Sequence, residues 1–140
     1  MGTIETFDHT ADVGLIIRGD DLDDLFRTAA GGVFDYIVAN RPEVRATESE
    51  AVTLTADSAA DLLLAWLGEL IYRSETRHRL YARFDVRVAP DGRSLTAEIG
   101  GEPIDRDRHI LDHEVKAVTR HGLELSGEAG RWVAELILDI

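Results

Sequence analysis

The chain has 140 residues, a net charge of −12, a pI near 4.7 and no cysteine. That length suits one domain, residues 1–140, and the lack of cysteine excludes disulfides, iron–sulfur clusters, thiolate zinc and cysteine nucleophiles. So acidic a surface repels phosphate backbones, so no direct nucleic-acid binding is expected, while basic or cationic partners are favoured.

The opening MGTIETFDHTADVG has no basic region followed by a long apolar run, so no signal peptide is expected and a cytoplasmic location is compatible. Val13, Leu15 and Ile17 alternate and predict a strand ending at Arg18-Gly19. Asp20 or Asp21 can then cap a helix carrying Leu22, Leu25, Phe26, Ala29, Val33 and Ile37 at helical spacing. Gly31-Gly32 inside it marks a close packing contact or a break. Residues 43–55 read as a strand, ending in AVTLT.

Ser58-x-x-Asp61 resembles a capping box, with Asp in place of Glu, and opens the strongest predicted helix, DLLLAWLGELIYRSE. Its stripe of Leu62, Leu63, Trp66, Leu67, Leu70 and Ile71 is wide enough for a core-facing helix. The longest apolar run, Leu62 to Leu67, is far too short to span a bilayer. Residues 80–89 alternate into the turn Pro90-Asp91-Gly92, and residues 94–100 return as a hairpin. A polar segment, 102–112, shows no period. Residues 114–125 form the next predicted strand, and Glu128-Ala129-Gly130 turns into a last strand, 131–140, with Trp132, Ala134, Leu136 and Leu138 on one face. The pattern predicts an α+β fold: two helices packed on one mostly antiparallel, mixed sheet.

Three stretches carry candidate chemistry. HEVKAVTRH, residues 113–121, holds the chain's only lysine, Lys116. Read as a strand, it puts Glu114, Lys116, Val118 and Arg120 on one face, where Glu114 and Lys116 can pair. That face is either a solvated surface or a lysine aimed at an anion or a partner carboxylate. His109 and His113 have a helical zinc spacing, but no third ligand is specified. At the front, Asp8, His9, Thr10 and Asp12 form either a polar turn or part of a hard-cation site. At the far end Asp139 stands beside the Ile140 α-carboxylate. If this strand lies beside DHTADVG, then Asp12, Asp139 and that carboxylate converge, and a cation would relieve their repulsion. No nucleophile elbow, P-loop or dinucleotide fingerprint occurs, and Asp105 and Asp107 do not stand out from ordinary surface acids.

Taken together, DHTADVG, GEPIDRDRHILDHEVKAVTRHGLEL and WVAELILDI resemble the signature blocks of the archease family, in order and across essentially the whole chain. The resemblance implies a non-enzymatic accessory of the GTP-dependent tRNA-splicing RNA ligase. Such a protein promotes guanylylation of the ligase histidine and multiple turnover, and broadens nucleotide use. It also implies a divalent metal, calcium in the usual description. Asp12 and Asp139 would be its side-chain ligands and Ile140 a main-chain or terminal ligand. Lys116 would be needed for activity, and no role carries over to His9 or His121. The family usually reads VKAVTYH; here Arg120 replaces the tyrosine. Two other classes fit the composition: a small metal-dependent hydrolase using Asp12 and Asp139, and a chaperone-like protein-binding module.

Overall fold

The computed structural model describes residues 2–9, 12–128 and 130–140, and for Phe7, Asp8 and His9 the backbone alone. Chain order is β1 (Thr3–His9), β2 (Asp12–Gly19), α1 (Leu22–Ile37), a 3-10 turn (Arg41–Glu43), β3 (Glu48–Thr55), α2 (Ala59–Arg77), β4 (Arg79–Val88), β5 (Ser94–Pro103), β6 (Ala117–Glu128) and β7 (Arg131–Asp139). The class is α+β, with two helices and antiparallel pairing as expected. The strands form two sheets where one mixed sheet was predicted: β1-β2-β7-β6 and β3-β5-β4, with every pairing antiparallel. Both helices touch both sheets and lie between them.

That position explains the composition of α1. Its residues from Leu25 to Phe26 and from Ala29 to Phe34 are buried, nearly all round the helix, as for a helix covered on two sides. Asp21 caps it, accepting the Asp24 N–H at 2.7 Å. The Gly31-Gly32 pair is a packing contact and not a break. A Cβ on Gly32 would sit 2.1 Å from Ile4 Cδ1, and one on Gly31 would sit 3.3 Å from the Arg41 guanidinium. The missing side chains let β1 and the 3-10 turn close on the helix.

Ser58 caps α2 by accepting the Asp61 N–H at 3.1 Å, and His78 ends it in the left-handed region at φ 53°. All six residues of the predicted stripe are buried. Trp66 ties the layers together. Its indole N–H donates to the Phe26 carbonyl on α1 at 3.0 Å, and its ring meets Phe84 of β4 edge-on at 6.5 Å. Gly68 is different from the glycines of α1. It is exposed in the middle of α2, and a Cβ there would meet no atom within 4 Å. A glycine in a helix interior costs about 1 kcal/mol relative to alanine, and no internal contact offsets it.

The PDG turn forms as predicted: Gly92, at φ 72°, joins β4 to β5. Three boundaries differ. Residues 44–47 are extended loop, so β3 begins at Glu48, because Pro42 sets a 3-10 turn just before. β1 was not predicted; it is an edge strand whose Thr3 to Thr6 are exposed, so these four residues offer no buried face to read. β6 begins at Ala117 and not at Glu114, so Lys116 precedes the strand. No helix among the described residues is long and apolar enough to cross a membrane.

Candidate functional site

β7 is the second-last strand of its sheet's order and the last in sequence, and it bridges the front and the rear of the chain. Its register on β2 sets Asp12 directly opposite Asp139. Directly opposed residues of an antiparallel pair share a sheet face, with Cβ atoms about 4.5–5.5 Å apart. On the other side Asp139 faces Ala117 of β6, and the Lys116 N–H donates to the Asp139 carbonyl at 2.8 Å. Val115 is buried, 6 % exposed, and anchors the approach, while Lys116 is exposed. One corner of the sheet therefore gathers Asp12, Lys116, Asp139 and the Ile140 main chain from both ends of the sequence.

The donors offered there are carboxylate and main-chain oxygens on half-buried residues, the chemistry a hard cation with six to eight oxygen ligands takes. Two side-chain carboxylates and main-chain oxygen fit such an ion with water completing the shell. Among the described residues no group of three or more His, Asp or Glu side chains is gathered for a metal. His9 stands opposite Asp12 in the β1–β2 register. The expectation for Asp8, His9 and Thr10 as a turn or cation cluster lies outside the described side chains, and Thr10 outside the described residues.

The zinc spacing of His109 and His113 does not make a site. His109 is buried, 3 % exposed; its Nδ1 accepts the Asp105 N–H at 2.9 Å and its Nε2 faces Glu102 at 3.0 Å. With Nδ1 an acceptor, the ring proton is on Nε2 and is donated to the carboxylate. His113 is exposed and stacks on Tyr36 at 4.2 Å. The expected Glu114–Lys116 pair is also not formed: both residues precede β6, and Lys116 makes no ion pair with a described residue. Arg120 instead reaches α2, donating to Asp61 Oδ1 at 2.5 Å, and this hydrogen bond holds the Asp61 carboxyl below its ordinary value. Both groups are solvated, so the pair is a clasp between β6 and α2 more than a source of stability.

Sequence reading missed Glu102. Burial alone would raise its carboxyl, but the Arg108 guanidinium, the Arg45 N–H at 2.6 Å and His109 outweigh it and hold it at about 2. This knot pins the 104–112 segment that leads to Lys116. The sign follows from linkage: a depressed carboxylate stabilises above its unfolded value near 4.5 and loses that contribution as pH falls toward 2. The shift corresponds to about 3 kcal/mol at neutral pH. Urea unfolding between pH 7 and pH 2.5 is expected to lose that much through this window, and Glu102→Gln to flatten the loss. An equally steep profile in the variant would assign it to other acids.

A family model described as the Archease protein family matches residues 4–140. The chain belongs to the archease family. The archease of Methanothermobacter thermautotrophicus is 37 % identical over 142 residues, covering 100 % of both chains. That of Methanopyrus kandleri is 34 % identical, covering 97 % of this chain and 98 % of its own. The solution structure of Methanobacterium thermoautotrophicum protein 1598 superposes with TM-score 0.79 at 34 % identity, over 98 % of each chain. A Thermotoga maritima archease, described as a possible chaperone, shares the fold with TM-score 0.62 at 16 % identity, over 97 % of this chain and 96 % of its own. The archease fold is thus the frame that brings the two chain ends together in this molecule.

Proposed function

We propose that this protein is a non-enzymatic accessory that activates a GTP-dependent tRNA-splicing RNA ligase in the cytoplasm, promoting guanylylation of the ligase histidine and repeated turnover. The observation that carries the reading is the corner where Asp12 opposes Asp139 and Lys116 is hydrogen-bonded to the Asp139 carbonyl. Membership of the archease family supports a ligase as the partner. Asp12, Asp139 and the Ile140 main chain would hold a divalent cation: their oxygen donors suit a hard ion, and the resemblance to the archease family implies calcium. When bound, the cation supplies positive charge beside two opposed carboxylates. Asp12 and Asp139 orient oxygens at the strand ends. Lys116, exposed and fixed through its own N–H, presents an ammonium to an anionic group of the ligase or its nucleotide. A net charge of −12 keeps the protein from competing for the RNA.

The test is guanylylation of the purified ligase with wild type, Lys116→Ala and Asp139→Asn. Wild type is expected to stimulate. Each variant, folded by circular dichroism, is expected to lose at least tenfold of that stimulation. Full stimulation by both folded variants would falsify the assignment. Turnover of a substrate by the wild-type protein alone, without ligase, would make it an enzyme instead.

A further inference from the structure

α2 and β6 pack side by side, and between them runs a cavity of about 290 Å³. Its walls include Leu64, Gly68, Tyr72, Lys116 and Val118. Leu64, Gly68 and Tyr72 recur every four residues, so they form one line along the helix. The Arg120–Asp61 ion pair bridges the same two elements toward the start of α2. The cleft is built and open, and its most conspicuous element is an absence.

Of the three glycines in the helices, Gly31 and Gly32 make room for Arg41 and Ile4. Gly68 makes room for nothing among the described residues: the space a Cβ would take is empty to 4 Å. It weakens the helix without serving its packing. Beside it Tyr72, a large aromatic ring, is 61 % exposed. A bare stretch of helix backbone, an uncovered aromatic and aliphatic walls make a seat for an apolar side chain. Lys116 stands on the same wall, forming no ion pair with a described residue, in a chain whose net charge is −12. It marks the one point of this cleft suited to a carboxylate. Glu75, also on the wall, disfavours an occupant carrying more than one.

We infer that the α2–β6 cleft is the docking groove for a protein partner, whose segment lays an apolar side chain on the backbone at Gly68 and a single neighbouring carboxylate on Lys116. The inference rests on the reading above that the partner is the ligase, and it names the surface that receives it. The groove reaches Lys116, so docking and the Asp12–Asp139 corner share one edge of the molecule.

The test fills the groove from inside. Gly68→Trp and Gly68→Leu place bulk where no atom stands, so both are expected to melt at or above the wild-type temperature. Affinity for the purified ligase is expected to fall at least tenfold for Gly68→Trp and at least threefold for Gly68→Leu. A photo-crosslinking benzoylphenylalanine at Tyr72 is expected to label a ligase segment with an apolar residue next to Asp or Glu. Unchanged ligase affinity in both Gly68 variants overturns the groove and leaves the proposed function standing. If wild type itself does not bind the ligase, the proposed function fails, and the crosslink formed in whole cells decides the groove. Labelling of another protein at an apolar–acidic segment then supports it; labelling of a second copy of this chain, of RNA, or of no macromolecule overturns it.

Discussion

Trp66→Ala is expected to lose about 3–5 kcal/mol of unfolding free energy, a large share of a domain stability of about 5–15 kcal/mol. The side chain is fully buried, and its loss opens a void where α1, α2 and β4 meet. It also strands the Phe26 carbonyl, which then lacks the indole donor. Urea unfolding followed by circular dichroism reads the change as a lower midpoint with the slope retained. A loss under about 1 kcal/mol would mean that neighbouring side chains collapse into the space, and that the indole is not the tie between layers. Trp66→Phe separates the two contributions, since it keeps most of the apolar volume and removes only the donor.

The second large effect concerns the opposed carboxylates. Calcium at about a hundred times its dissociation constant stabilises a single-site protein by about 2.7 kcal/mol. For a chain of this size that is a rise of roughly 5–15 °C in melting temperature. Wild type is expected to show it, and Asp139→Asn and Asp12→Asn to lose most of it. In chelator the three proteins are expected to melt within about 3 °C of one another, because the substitution keeps the shape of the side chain. This readout needs no ligase, so it separates cation binding from activation. A calcium-dependent rise of the same size in both variants would place the ion elsewhere.

Both helices were legible in the sequence because each declares itself locally. Asp21 and Ser58 are caps with a mechanism, and the buried stripe of α2 is the one its spacing predicts. The PDG turn was equally local. The division into two sheets was not legible, because a strand's alternation names its buried face and not the strand beside it. The burial of α1 from Ala29 to Phe34 was the available sign: that stretch, AAGGVF, holds no polar residue, as suits a helix with a sheet on either side. β1 escaped because Thr3 to Thr6, on an edge strand, are exposed and show no buried alternation. At the site, the carboxylates at both chain ends could be named from the sequence, but their register could only come from β7 lying against β2. Lys116 was misplaced onto a strand by continuing the Val115-Ala117 alternation backwards, where the buried Glu102–His109 knot instead holds an irregular segment. Gly68 left no sequence signal at all. Only the empty space above it distinguishes it from a tolerated helix glycine.

The register of β7 also sets an order of events. Asp12 precedes Asp139 by most of the sequence and meets it only when β7 lies against β2. The helices and the three-stranded sheet packed on them can collapse earlier, from contacts made wholly within the middle of the chain. The corner holding Asp12, Lys116 and Asp139 therefore forms only once β7 lies against β2. A chain cut just before Asp139 would keep both helices and most of β7 and lack the opposed pair, so the strand that joins β2 to β6 also completes the corner.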